Sequence, residues 1–121
     1  MITGIGADII EVGRIREALS RHPSFSSKVF TQAEEEYCRK SSDPAERFAG
    51  RFAAKEAIAK ALGRSLSWRD VEILPDAHGK PTVRLARKAL ETAAGRTVMV
   101  TISHCREYAV GYAVVEDRAQ A

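Results

Sequence analysis

Long apolar runs are missing from this 121-residue sequence, and none approaches the roughly 20 residues that a membrane-spanning helix needs. The amino-terminal residues also lack the basic leader and apolar stretch of a signal peptide. Cysteine is scarce, with only Cys38 and Cys105, which is too few for a disulfide framework. We therefore expect no membrane partner, a reducing cytoplasmic location, and two buried or half-buried thiols.

Features typical of nucleic-acid binding are also scarce. The chain has one Trp, 7% aromatic residues and no run of basic side chains on which a phosphate backbone could dock. Its net charge of +3 and pI near 9.1 are mild. This balance permits an acidic protein partner without requiring one, and we expect no nucleic-acid partner.

What the chain does contain is the composition of one globular domain. Apolar residues make up 45% and charged residues 29%, and no repeat or linker divides the sequence. We predict a single α+β domain over residues 1–121, with an antiparallel sheet packed against a long central helix and a frayed polar tail at 117–121.

The order of elements follows from periodicity and turn signals. Alternating apolar residues predict strands, and helical spacing with caps predicts helices. Asp and Gly between the second and third strands indicate a hairpin turn. The predicted strands are 2–10, 71–75, 81–85, 97–103 and 108–116, and the predicted helices are 11–21, 31–39, 44–62 and 86–94.

The central helix has clear ends and one anomaly. Asp43, followed by a proline and a glutamate, predicts a capped start, and Gly63 predicts the stop. On a helical wheel Arg51 and Lys55 fall among the apolar residues that face the core. A helix with cations in that sector either packs between two layers or faces an anionic ligand.

A second strip of the same helix carries candidate chemistry. Glu56 and Lys60 lie one turn apart, which is typical of a solvated ion pair but also of half a binding site. Asp8 is flanked by apolar residues and preceded by two glycines, so it is either a buried hydrogen-bonded carboxylate or a cation ligand. His104 ends a predicted strand. Two carboxylates with a lysine suggest a divalent-cation site that handles phosphate.

Three ordered blocks of sequence carry a family resemblance. They are Gly4-Ile-Gly-Ala-Asp8-Ile-Ile-Glu-Val-Gly-Arg14-Ile15, Phe48-Ala-Gly-Arg-Phe-Ala-Ala-Lys-Glu56-Ala-Ile-Ala-Lys60-Ala61, and Ile102-Ser-His104 with the strand from Tyr108 to Glu116, and the Gly79-Lys80-Pro81 turn adds to them. Together they cover nearly the whole chain. The sequence resembles the holo-[acyl-carrier-protein] synthase family, the small single-domain class of 4′-phosphopantetheinyl transferases, and the resemblance implies that fold.

The resemblance also implies roles for individual residues. Asp8 and Glu56 match ligands of Mg²⁺, and Lys60 matches the lysine that neutralises the pyrophosphate of coenzyme A. Together with His104 these three form the implied catalytic set. The implied coenzyme A contacts are Arg51, Lys60, Gly79, Lys80, Pro81, Ser103 and His104.

Partners follow from the same resemblance. Arg14, Arg16 and Arg21 match the helix that receives the acidic acyl carrier protein, although arginines on a helix are more often a solvated face. The family works as a homotrimer with sites between subunits. The segment after Gly63 is shorter than in many relatives, which affects the shape of the pocket rim.

The implied reaction is Mg²⁺-dependent transfer of 4′-phosphopantetheine from coenzyme A to a serine of apo acyl carrier protein, in fatty acid biosynthesis. Adenosine 3′,5′-bisphosphate is the leaving product. The sequence does not identify the base, which is either a metal-bound water or a carboxylate. The alternatives are a metal-dependent nucleotide phosphohydrolase and, below it, a non-catalytic module that binds acidic proteins.

Overall fold

A computed structural model describes residues 1–117. The predicted strands and helices are all present, with ends within a few residues of those expected, whereas the predicted frayed tail falls mainly on residues outside the described range. No pattern in the sequence predicted the short helix at Phe25–Val29, which fills the link between two longer helices. In chain order the elements are β1 (Ile2–Glu11), α1 (Val12–Arg21), α2 (Phe25–Val29), α3 (Gln32–Arg39), α4 (Pro44–Leu62), a 3₁₀ turn (Trp68–Asp70), β2 (Val71–Pro75), β3 (Pro81–Leu85), α5 (Arg87–Ala93), β4 (Thr97–His104) and β5 (Tyr108–Glu116).

The strands form two antiparallel sheets. One has three strands in the order β1-β5-β4, and the other is the β2-β3 hairpin. In the larger sheet Asp8 pairs with Gly111, and Ser103 pairs with Val110. The predicted α+β architecture is therefore confirmed, with the sheet divided into two parts.

Helix α4 lies at the centre of the molecule. One side of this helix packs on the larger sheet, and its other sides pack on α1, α3 and β2. This enclosure confirms the first of the two interpretations of its buried cations, namely that the helix packs between two layers. Gly63 ends it with a left-handed φ of 75°. The predicted cap by Asp43 is wrong, because that carboxylate accepts a 2.8 Å hydrogen bond from Arg16 instead.

Two glycines of β1 allow the sheet to approach α4 very closely. A Cβ on Gly6 would stand 2.1 Å from the carbonyl oxygen of Ala57, and one on Gly4 would stand 2.0 Å from that of Ala61. No side chain fits at those distances, so the backbones themselves are in contact. The strand therefore runs antiparallel to the helix, with Asp8 beyond Gly6 toward the middle of α4.

The face of the larger sheet that points away from α4 is exposed and apolar. Ile5, Ile9, Tyr112 and Met99 are 74%, 61%, 51% and 45% exposed. We call these four residues the outer sheet face. A contiguous apolar face of this kind is typical of an interaction surface.

The two cysteines differ in environment. Cys38 is fully buried in the core between α3 and α4, as predicted. Cys105 is exposed in the turn between β4 and β5, so the prediction of a buried or half-buried thiol is wrong for this residue. Over residues 1–117, no helix combines the length and the apolar character needed to cross a bilayer.

Candidate functional site

Lys60 and Asp8 are in direct contact. The Nζ of Lys60 lies 3.3 Å from Asp8 Oδ1 and donates a 3.0 Å hydrogen bond to the carbonyl oxygen of Ala7. This contact is possible because Gly4 and Gly6 let β1 pack directly on the backbone of α4, which brings Asp8 close to the helix. The Lys60 side chain stays 55% exposed and that of Asp8 19% exposed. This pair therefore remains open to a ligand.

Glu56 lies on the same face of α4, about 6 Å along the helix axis from Lys60. Glu56 precedes Lys60 on α4. Because β1 and α4 run antiparallel, moving along the helix from Lys60 to Glu56 follows the direction of β1 from Gly6 to Asp8. Glu56 and Lys60 also line one wall of a pocket of about 560 Å³. Other residues of α4 and the segment that leads to β2 also line this pocket. They are Lys55, Ala59, Gly63, Arg64, Ser65, Leu66, Ser67, Trp68 and Val71.

This set of donors suits Mg²⁺ in its chemistry. Asp8 and Glu56 supply hard carboxylate oxygens from a strand and a helix that are in backbone contact. No cluster of three or more His, Cys, Asp or Glu side chains occurs in the part of the chain that the structure describes. Mg²⁺ accepts such a sparse set, since it keeps several waters and binds one or two carboxylates with substrate phosphates.

His104 and Ser103 lie elsewhere in the chain's own fold. His104 Nδ1 is 3.7 Å from Glu46 Oε2, in the first turn of α4, which is about 15 Å along the helix axis from Glu56. Ser103 is exposed on the same side of the sheet as Val110, its partner in the ladder, and this is the side away from α4. A single chain therefore does not bring these two residues to Asp8, Glu56 and Lys60.

The Gly79-Lys80-Pro81 segment closes the hairpin between β2 and β3. Asp76 Oδ1 accepts hydrogen bonds from the backbone N–H of His78 (2.8 Å) and of Lys80 (3.0 Å). Gly79 has a φ of 86°, which favours glycine, and Pro81 begins β3. The turn is therefore rigid, and it presents the Lys80 side chain to solvent.

Arg51 is enclosed by the chain's own residues. It is 7% exposed, its Nε donates a 3.3 Å hydrogen bond to the carbonyl oxygen of Ile73, and its guanidinium stacks 4.5 Å from the ring centre of Tyr37. These contacts give Arg51 a structural role, in agreement with the interpretation that α4 packs between two layers. They leave only a small part of the side chain accessible to a nucleotide.

The three arginines of α1 are exposed but not equivalent. Arg16 bonds to Asp43 at 2.8 Å, and Arg21 pairs with Glu17 at 3.0 Å. Arg14 has no acidic partner within 4.0 Å among residues 1–117. Among the three arginines predicted to contact the partner, Arg14 is therefore the one whose charge is most available to a carboxylate of another protein.

Sequence reasoning missed the buried pair beside the pocket. Lys55 Nζ lies 2.7 Å from Glu34 Oε1, and the two side chains are 2% and 0% exposed. Glu34 also closes a capping box with Thr31 at the start of α3. The available signal was Lys55 itself, since an ammonium in an apolar sector requires a buried acceptor.

Burial shifts two pKa values on this side of α4. Loss of hydration raises the pKa of the Cys38 thiol to about 12. Loss of hydration also lowers the pKa of Lys55, and the charge of Glu34 opposes that shift. Both shifts arise from the closed packing around Glu34, on the far side of the helix from Asp8.

The family follows from comparison with known proteins. A family model described as the 4′-phosphopantetheinyl transferase superfamily matches residues 4–113. The chain belongs to this superfamily. As a phosphopantetheinyl transferase it is 44% identical over 118 residues to the holo-[acyl-carrier-protein] synthase of Chlamydia pneumoniae, across 93% of this chain and 96% of that protein. The corresponding enzyme of Clostridium novyi (strain NT) is 46% identical over 122 residues, across 96% and 88%.

Solved structures agree with this assignment. The holo-(acyl-carrier-protein) synthase of Bacillus anthracis str. Ames, in complex with CoA (3′,5′-ADP), has a TM-score of 0.83 at 36% identity, over 97% of this chain and 98% of that chain. The enzyme of Helicobacter pylori, in complex with coenzyme A, has a TM-score of 0.83 at 27% identity, over 93% and 99%. The predicted family, fold and enzyme class are confirmed.

Proposed function

We propose that this phosphopantetheinyl transferase moves the 4′-phosphopantetheine arm of coenzyme A to a serine of apo acyl carrier protein. The observation that carries the proposal is the open contact between Lys60 and Asp8, beside Glu56 on a pocket wall. Bacillus and Helicobacter relatives bind coenzyme A or its 3′,5′-ADP part, and their folds match this chain. The serine oxygen forms a bond to the β-phosphorus, and the bond to adenosine 3′,5′-bisphosphate breaks.

Asp8 and Glu56 would hold Mg²⁺ in this proposal. The chemistry that the ion supplies when bound is charge neutralisation of a diphosphate. Asp8 is fixed by its strand, and Glu56 is free to turn toward the ion, since its carboxylate has no hydrogen bond among residues 1–117. Asp8 is thus held by its contact with Lys60, whereas Glu56 is left to bind the ion.

Lys60 would bind the leaving phosphate. Its ammonium has three N–H donors, and two of them have partners in the described part of the chain, Ala7 and Asp8. The third donor and the 55% exposure leave room for a phosphate oxygen. The serine proton goes to a water or a carboxylate at the same site, and the described geometry favours neither.

We further propose a homotrimer whose sites lie between subunits. Ser103 and His104 lie far from Glu56 within one chain, so they can contribute only from a neighbouring subunit. The outer sheet face supplies an apolar surface for such contacts. The mass in solution by light scattering tests this, and a monomer that is fully active would contradict it.

The acceptor that we propose is the acidic carrier protein of fatty acid biosynthesis, docked on α1 at Arg14. Arg14 is exposed and has no acidic partner among residues 1–117, and this supports the choice. A cytoplasmic location remains a prediction, and the two free thiols fit a reducing compartment.

One assay tests the proposed reaction. Purified protein, coenzyme A, Mg²⁺ and apo acyl carrier protein are incubated, and mass spectrometry measures the carrier protein for the added phosphopantetheine. A carrier protein with its acceptor serine replaced by alanine serves as the control. An unmodified carrier protein in the complete mixture would contradict the proposal.

The same assay separates the alternative functions. Coenzyme A that breaks down in the absence of carrier protein would favour a phosphohydrolase. Carrier protein that binds but is never modified, without Mg²⁺-dependent binding of coenzyme A by calorimetry, would favour a non-catalytic module.

A further inference from the structure

Lys55 uses its whole hydrogen-bonding capacity inside the protein. Its Nζ donates to the carbonyl oxygen of Val29 at 2.8 Å, to Glu34 Oε1 at 2.7 Å and to the carbonyl oxygen of Trp68 at 3.0 Å. An ammonium has three N–H donors, so none is left for a ligand. Lys55 therefore serves the fold around it and does not bind substrate.

Glu34 extends this network into the neighbouring elements. Besides Lys55, its Oε1 accepts a 2.9 Å hydrogen bond from the backbone N–H of Thr31, at the start of α3. Its Oε2 accepts a 2.8 Å hydrogen bond from the backbone N–H of Ile73 in β2. One buried carboxylate thus joins α3, α4 and β2.

The backbone groups held by this network stand directly behind the candidate site. Trp68 and Val71 line the same pocket as Glu56 and Lys60. The Trp68 ring stacks on Phe52 with 4.9 Å between ring centres, while its carbonyl oxygen is held by Lys55. The part of the pocket lining that includes Trp68 and Val71 is therefore held at Trp68 by Lys55 of α4 and at Ile73 of β2 by Glu34 of α3.

A buried ion pair contributes little net stability, since the loss of hydration offsets much of the attraction. The pair instead favours one arrangement of α3, α4 and β2, because an arrangement that separates Lys55 from Glu34 leaves a buried charge without its partner. We propose that Lys55 and Glu34 are positioning residues that preform the Trp68–Val71 wall for coenzyme A. This inference rests on the proposed transfer from coenzyme A.

The first test is Lys55→Met, which keeps the length of the side chain but removes the charge. We expect the KM for coenzyme A to rise about tenfold or more, since a displacement of about 1 Å can have a hundredfold effect. We expect kcat per folded molecule within threefold of wild type, because Glu56 and Lys60 are retained. A purely structural role would lower the folded fraction and leave KM unchanged.

A second measurement does not depend on turnover. Trp68 is the only tryptophan in the chain, so its fluorescence reports on this wall alone. We expect acrylamide to quench Trp68 more strongly in Lys55→Met than in wild type at equal folded fraction. The matched control is Asp70→Asn on the same 3₁₀ turn, which removes the negative charge that pairs with Arg87 of α5 at 2.7 Å; Asp70 does not line the pocket. In that variant we expect an unchanged KM for coenzyme A.

Lys55→Met leaves the Glu34 carboxylate buried and unpaired, and such a charge can prevent folding. The double variant Glu34→Gln/Lys55→Met removes both charges, and we expect the same rise in KM in a better-folded protein. An unchanged KM together with unchanged Trp68 quenching in either folded variant would overturn the proposal.

Wild-type protein provides a test that needs no variant. A preformed wall requires the amide hydrogens of Val71 and Ile73 to be protected from exchange already without coenzyme A, and the ligand should slow them no more than it slows other core amides. Protection that appears only with coenzyme A would show that the ligand orders the wall, which contradicts the proposal. These exchange and quenching results are independent of catalysis. If the wild-type protein is inactive, the proposed transfer reaction is wrong. The exchange and quenching results then still decide whether Lys55 and Glu34 hold the wall in place.

Discussion

Helix α4 carries two lysine–carboxylate pairs that differ in almost every physical respect. On one side Lys55 and Glu34 are 2.7 Å apart and fully enclosed. On the other side Lys60 and Asp8 are 3.3 Å apart, with the lysine 55% exposed. The two lysines are five positions apart in one sequence block, yet one is enclosed by protein and the other faces solvent.

The difference shows how one helix serves structure and chemistry at once. The enclosed pair has protein partners for each of its donors, so a ligand has nothing to bind. The open pair has a free donor within the described chain and lies beside Glu56. Removal of one partner from a buried pair costs about 3–5 kcal/mol, whereas an exposed pair contributes about 0–1 kcal/mol. Mutations on the two sides should therefore separate stability from activity.

The largest effect is expected from Glu56→Gln on the open side. The amide keeps the size of the side chain but removes a charge that the proposed Mg²⁺ site requires. We expect turnover to fall about a thousandfold, at the upper end of what single electrostatic groups contribute. The urea midpoint should stay near that of wild type. Near-normal turnover at saturating Mg²⁺ would show that Glu56 is not a metal ligand.

A smaller loss is expected from Lys60→Met. This substitution removes the charge proposed to meet the leaving phosphate but leaves both carboxylates in place, so we expect turnover to fall about a hundredfold. Unfolding free energy should change by less than about 1 kcal/mol, since the pair with Asp8 is exposed. The comparison between the two pairs fails if Lys60→Met unfolds as readily as Lys55→Met.

The part of this site that lies on α4 was predictable from the sequence, because Glu56 and Lys60 are one helical turn apart. Asp8 lies 52 residues before Lys60, so its place in the site rested on the family resemblance and not on spacing. The partner of Lys55 was not predictable, since Glu34 lies 21 residues earlier and meets it only after α3 folds onto α4. The predicted cap of α4 was wrong for a similar reason, because Arg16 of α1 donates a hydrogen bond to the Asp43 carboxylate.

The enclosed side makes a prediction about alkaline pH. Burial raises the pKa of Cys38 from 9.0 to about 12, so the native state keeps a proton that the unfolded state loses. Between these pH values the unfolded chain binds fewer protons, and the stability of the native state falls as the pH rises. The fall is up to about 1.4 kcal/mol per pH unit, and below pH 9 this contribution is constant.

Cys38→Ala should remove that slope. Urea unfolding with reducing agent, measured at several pH values on both sides of pH 9, gives the stability difference between wild type and variant. We expect wild type to be more stable at neutral pH, because the variant leaves a small cavity, and we expect the difference to shrink as the pH rises. A difference that stays constant across this range would mean that the native core admits water or hydroxide to Cys38.

The smallest effect is expected at Arg14, outside both pairs. An exposed cation contributes to docking mainly through long-range attraction, which salt screens over about 10 Å at 0.1 M ionic strength. We expect Arg14→Glu to raise the KM for carrier protein severalfold at low salt, with the KM for coenzyme A nearly unchanged. Lys88→Glu is the matched control, since it makes the same charge change at an exposed position of α5. Equal effects of the two variants would assign the change to overall charge, whereas a larger effect at Arg14 that disappears in high salt would place the carrier protein on α1.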